Sequence, residues 1–141
     1  MSIFKQISKN DWVASEDEYW DNHPIAQLSL SPEELSSQLG LTFEDDFDNL
    51  DYFKIAVIEI DNGHRFSLLR YEGESQEGTT TIYAPWFQED VPTNLERYLQ
   101  ILGLSENDLS WKISQKSLER LHADKKQRES GENIDEPQEQ D

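Results

Sequence analysis

The chain contains no cysteine, which excludes disulfides, thiol nucleophiles and thiolate metal sites together. Nor does it contain a run approaching the roughly 18 apolar residues that a membrane-spanning helix requires. Its opening Met-Ser-Ile-Phe-Lys-Gln lacks the apolar core of a secretory leader, so the expected setting is the cytoplasm. With 6 glycines in 141 residues it has no Gly-rich phosphate-binding turn, and neither a Gly-x-Ser-x-Gly elbow nor a His-Glu-x-x-His pair occurs. The most informative deficit is local: from Asn10 to Phe53 there is no Lys or Arg, against 12 Asp and Glu.

What is present is acid. Thirty Asp and Glu against 12 Lys and Arg give a net charge of −18. Phosphate backbones and anionic membranes are contacted through Lys and Arg, so direct binding to nucleic acid or to a membrane surface is disfavoured. By segment the charge runs +2 over residues 1–9, −12 over 10–53, −5 over 54–96, +3 over 97–128 and −6 over 129–141. The acidic stretch cannot neutralise itself locally. It is either a solvated face or is matched by cations from elsewhere in the chain or from a partner. The basic block, with Lys112, Lys116, Arg120, Lys125, Lys126 and Arg128, reads as a helix that either lies against the acidic body or is simply solvated. At 141 residues one domain is expected, over 1–128. The tail 129–141 has too few apolar side chains to offset the entropy of ordering, so disorder is expected there.

The local signals describe an α+β domain. Ser31-Pro32-Glu33-Glu34 has the reciprocal Ser/Glu pattern of a capping box with Pro at the first helical position, and Gly40 supplies a left-handed stop. A helix is predicted from about Pro32 to Leu39. A second helix follows from Thr93-Asn94-Leu95-Glu96, with Leu95, Tyr98, Leu99 and Leu102 at helical spacing before Gly103. A third start is predicted at Ser105-Glu106-Asn107-Asp108, leading to Leu109 and Trp111, and a further helix from about Gln115 through Leu118 and Leu121.

Between the first two helices, residues 52–60, 65–71 and 79–84 read as a three-stranded antiparallel meander over about 52–84. Asn62-Gly63 suggests a two-residue turn, which pairs Val57 with Leu68, Glu59 with Phe66 and Ile60 with Arg65. Both faces of that ribbon carry apolar side chains, so a sheet covered on both sides is expected. One helix precedes the meander and two or three follow it. The repeated Leu-Gly-Leu at Leu39 and Leu102 reads as a helix terminator rather than a duplication.

Candidate chemistry is sparse. His64 next to Asp61 is a turn contact with an acid–base alternative, His23 precedes Pro24 in an apparent loop, and His122 sits on the basic helix. The acid-rich run from Glu44 to Asp51 fails the calcium-loop pattern, because Asp51 stands where Gly is needed and Val57 where Glu is needed. It reads as a solvated connector, and no cofactor is expected. The aromatics embedded in acid are more suggestive. Trp12, Trp86 and Trp111 read as core or lid residues, whereas Trp20 reads as an exposed anchor. Arg65 and Arg70 are expected to pair internally with the acidic segment.

The expectation is therefore a non-enzymatic module that docks on a basic surface of a partner protein, as an inhibitor, an immunity-type partner, a nucleic-acid mimic or an assembly adaptor. Trp12, Asp17, Glu18, Tyr19, Trp20, Asp45, Asp46 and Asp48 are the partner-binding candidates. The alternative is a small enzyme or ligand-binding domain with a pocket near His64 and Asp61.

Overall fold

The computed structural model describes residues 4–10, 22–47, 51–60, 65–74, 77–85 and 91–130. Its centre is an antiparallel sheet of seven strands rather than three: β1 (Lys5–Ile7), β2 (Asn22–Leu28), β3 (Glu44–Phe47), β4 (Tyr52–Glu59), β5 (Arg65–Tyr71), β6 (Thr80–Pro85) and β7 (Leu109–Lys112). The predicted meander is its middle, β4-β5-β6. β2 and then β7 extend one side, while β1 and β3 share the other edge of β4. β3 lies along residues 52–55 and β1 along 57–59, so two short segments together do the work of one edge strand. The side-chain amide of Gln6 joins them, accepting from the Thr42 backbone N–H at 2.9 Å and donating to the Thr42 carbonyl.

The β4–β5 register differs from the expected one by a single residue. Ala56 pairs with Leu68, Val57 with Ser67, Ile58 with Phe66 and Glu59 with Arg65. The predicted Asn62-Gly63 turn lies outside the described residues, which resume at Arg65. Side chains explain the choice. A one-residue slip exchanges the faces of a strand, and the observed register places Glu59 against Arg65, with Nη2–Oε2 2.9 Å, instead of against Phe66. Lys5 reaches the same carboxylate at 3.3 Å, so a charged row crosses β1, β4 and β5.

Three helices are present among the described residues: α1 (Pro32–Leu39), α2 (Val91–Leu102) and α3 (Gln115–Ser130). α1 forms as its sequence dictates. The Ser31 hydroxyl accepts from the Glu34 N–H at 3.0 Å, Glu34 returns the bond to the Ser31 N–H at 2.9 Å, and Gly40 adopts φ 73°. α2 starts at Val91, ahead of the expected Thr93 cap, and ends at Gly103 with φ 75°, where the Leu104 N–H reaches the Leu99 carbonyl at 2.7 Å. The helix predicted from Ser105 is a single 3-10 turn, Glu106–Asp108, followed by β7. Three residues are capped by Ser105 and Asp108, after which the chain joins β2 through Ser29 N–H to Asp108 O at 2.7 Å and Ile113 N–H to Ile25 O at 2.8 Å. α3 continues to Ser130, and residues 131–141 lie outside the described set. Lys116 and Arg120 are exposed on it. No helix among the described residues is long and apolar enough to cross a membrane.

The helices cover one face of the sheet. Leu35 of α1, Val91, Leu95, Tyr98, Leu99 and Leu102 of α2, and Leu118 of α3 join Ala26, Leu28, Ile58, Phe66, Leu68 and Ile82 in one core. Tyr98 stacks on Phe66, with centroids 4.0 Å apart and planes at 17°. Burying each such side chain is worth about 1.5–3 kcal/mol. The opposite face buries a second, smaller cluster of Phe53, Ile55, Val57 and Leu69, with Ile7, Tyr71 and Tyr83 packed against it.

Candidate interaction site

β3 is where the acidic stretch acquires structure. Asp and Glu are poor strand formers, and the segment had read as a connector, but an edge strand tolerates charge. Alternation then divides its acids between the two faces. Glu44 and Asp46 point to the second face, where Lys9 donates from its backbone N–H to Glu44 Oε2 at 2.8 Å and from Nζ to Asp46 Oδ2 at 2.5 Å. The Lys9 ammonium also lies 6.0 Å from the Phe53 ring centroid. Asp45 points to the helical face and pairs with Lys54 Nζ at 2.8 Å. Asp45 and Asp46 are thus matched by lysines from elsewhere in the chain, and Glu44 by a backbone N–H.

At the end of the same hairpin, Phe47 and Tyr52 are cross-strand partners with ring centroids 5.6 Å apart. Both stand in solvent, 67% and 63% exposed. Alongside them a cleft of about 370 Å³ opens between the first turn of α1 and the sheet, with Glu33, Asp45, Lys54, Arg70 and Glu72 in its wall. The Asp45 hydrogen bond, with Glu33 and Glu72 adding to it, holds the Lys54 ammonium above its ordinary pKa. Arg70 is turned to Thr79, with Nη1–Oγ1 2.9 Å, and towards Glu74 at 3.9 Å. Asp45 remains 80% exposed despite its lysine. Tyr52 lines the cleft, which therefore joins one ring of the exposed pair to a net-acidic wall, an arrangement that can receive a cation on the ring face and carboxylates together.

Of the sequence-predicted site residues, the structure brings Asp45 and Asp46 to this hairpin, on opposite faces. Trp12, Asp17, Glu18, Tyr19, Trp20 and Asp48 lie outside the described residues, as do Trp86 and the His64–Asp61 pair. Arg65 and Arg70 pair internally, with Glu59 and Glu74 among their partners. His23 is in β2, opposite Ala84, and burial lowers its imidazole pKa. Trp111, expected as a core or lid residue, is 47% exposed on the edge strand β7 and so is not in the core. Sequence reasoning passed over Phe47 and Tyr52. Their signal was an aromatic on either side of the acid-rich turn, at the separation of a four-residue hairpin loop. No group of three or more His, Asp and Glu able to hold a metal occurs among the described residues. No protein-family model, curated protein or solved structure matches the chain.

Proposed function

We propose that the chain is a non-enzymatic interaction module that docks on a basic surface of a partner protein, as an inhibitor or assembly adaptor would. The observation that carries this reading is the exposed Phe47–Tyr52 pair on the acidic rim of the cleft. Exposed aromatics of this size are anchors when a partner covers them, and surrounding charge selects that partner's sign. A lysine or arginine laid over Tyr52 contributes about 0.5–1 kcal/mol through the ring alone. Glu33, Asp45 and Glu72 add the steering. Asp17, Glu18, Tyr19 and Trp20, outside the described residues, belong to the same proposal as partner-binding candidates.

Peptide display tests it. Peptides selected on the native chain at low salt and counter-selected on the Phe47→Ser, Tyr52→Ser double variant should be rich in Lys and Arg, and should be released as ionic strength rises. Enrichment of acidic or neutral peptides, or binding indifferent to both substitutions, would refute the reading. For a partner so found, Asp17→Lys with Glu18→Lys should slow association, whereas Trp20→Ala should chiefly speed dissociation.

A further inference from the structure

On the face of the sheet opposite the helices, a second groove of about 500 Å³ crosses β6, β2 and β7, lined by Pro24, Gln27, Thr81, Tyr83, Ser110 and Trp111. Its wall carries no charged side chain among the described residues, in a chain of which 30% is charged. The occupant it suits is therefore neutral. The register sets the geometry: Gln27 pairs with Thr81 on one side and with Trp111 on the other, and Tyr83 pairs with Pro24 one step along. Flat apolar surfaces, the half-exposed Trp111 indole and the Tyr83 ring, thus flank a polar strip.

That strip carries unpaired donors. Ser110 Oγ donates to Gln27 Oε1 at 2.8 Å, which leaves the Gln27 NH₂ without a hydrogen-bond partner among the described residues. The Trp111 indole N–H is a donor only. Thr81 is 8% exposed, and its hydroxyl makes no hydrogen bond with the described residues. The Thr81 hydroxyl lines the groove and can donate to a ligand carbonyl there.

An uncharged ligand with flat apolar rings, many acceptors and few donors is the chemistry of a proline-rich segment, whose ring faces stack on aromatics and whose backbone carbonyls have no neighbouring N–H. We infer that the groove built on Trp111, Tyr83, Gln27 and Thr81 receives a proline-rich segment of a partner protein in the polyproline II conformation. Such a segment loses little conformational freedom on binding, which suits a shallow groove on a sheet. A glycan, whose hydroxyls also accept from these donors, is the competing ligand that the experiment distinguishes.

The experiment is a ¹H–¹⁵N NMR titration of the full chain with decaproline, and separately with cellohexaose. Decaproline should produce saturable shifts of the Trp111 indole N–H, assigned from its loss in Trp111→Phe, and of the amides of Gln27, Thr81 and Ser110. Trp111→Ala should weaken binding about tenfold, and the near-isosteric Thr81→Val several-fold, with the amide spectra of both showing a folded chain. Tyr52→Ala should leave decaproline affinity unchanged, which separates this groove from the acidic cleft. Three results would each overturn the assignment: no saturable shift at millimolar decaproline, shifts confined to another face, or saturable binding of cellohexaose in place of decaproline.

Discussion

The Phe66–Tyr98 stack offers a measurement that reads helix docking and strand register at once. Both rings are fully buried, 4.0 Å apart, and they come from β5 and α2. Truncating either to Ala is expected to cost about 3–5 kcal/mol, a large part of the roughly 5–15 kcal/mol that stabilises a domain. Leucine is the better probe. Tyr98→Leu and Phe66→Leu keep an apolar side chain and should cost about 1–3 kcal/mol each. Contacting aromatic rings add about 0.5–1.5 kcal/mol beyond their buried area, so the double variant should be more stable than the sum of the single effects predicts by that amount. Urea unfolding followed by circular dichroism, with unchanged m-values, measures all corners of the cycle. In a register shifted by one residue, Phe66 would share a face with Val57 and Glu59 and could not meet Tyr98. Strict additivity with every variant cooperatively folded would refute both the docking of α2 and the pairing of Ile58 with Phe66.

Glu59 gives a pH test. Its hydrogen bond from Arg65, helped by Lys5, holds its carboxyl below the ordinary value. The stability it contributes is complete above about pH 4.3 and is lost as pH falls through the lower folded value. Glu59→Gln should therefore cost stability at pH 7 and flatten the acid limb of the stability profile, and an unchanged acid limb would remove Glu59 from the account. At Gly73, a Cβ would come within 2.5 Å of Asp51 Oδ2, which accepts from the Gly73 N–H at 2.5 Å. Gly73→Ala should cost about 1 kcal/mol by displacing that carboxylate; the cost should vanish in an Asp51→Ala background, and its persistence there would place the strain elsewhere.

What could be read from the sequence was what is specified locally. α1 needs only Ser31, Pro32, Glu34 and Gly40, all within one segment, and its bounds match the structure. The apolar stripe of α2 and the strands β4, β5 and β6 were equally legible, because each carries its own burial pattern. β1, β3 and β7 were not. They are three or four residues long, and β3 is three-quarters acid. Such segments become strands because β4 and β2 have edges to complete and because, for β1 and β3, Lys9 and Gln6 make contacts 37 and 36 residues apart in sequence while Lys54 holds Asp45 across nine. β2 was hidden by His23-Pro24. A proline that cannot donate is tolerated there because the ladder is irregular between Pro24 and Ala26. The candidate site shared this difficulty. Acid was visible as composition, but the exposure of Phe47, Tyr52 and Trp111 depends on strands that local propensity does not announce.

The same matching of charge bears on how the acidic cleft would take a partner. Lys9 and Asp46 are largely shielded, with side chains 16% and 32% exposed, whereas Lys54 and Asp45 are open at 46% and 80%. The first pair is part of the fold, linking the residues after β1 to β3. The second is exposed and screened, and worth at most about 1 kcal/mol to stability. Lys54 also feels Glu33 and Glu72, so it occupies the position that a partner's cation would take. Under the proposed function it is an internal competitor. Lys54→Gln should therefore leave thermal stability nearly unchanged while raising affinity for a basic peptide selected on the native chain about three- to tenfold at low salt, chiefly through faster association. The gain should shrink as salt is added. Lys9→Gln, which breaks the shielded pair, should instead lower stability. If Lys54→Gln weakens binding or leaves it unchanged at low salt, Glu33, Asp45 and Glu72 do not face the bound cation, and the exposed rings of Phe47 and Tyr52 must dock their partner by apolar contact alone.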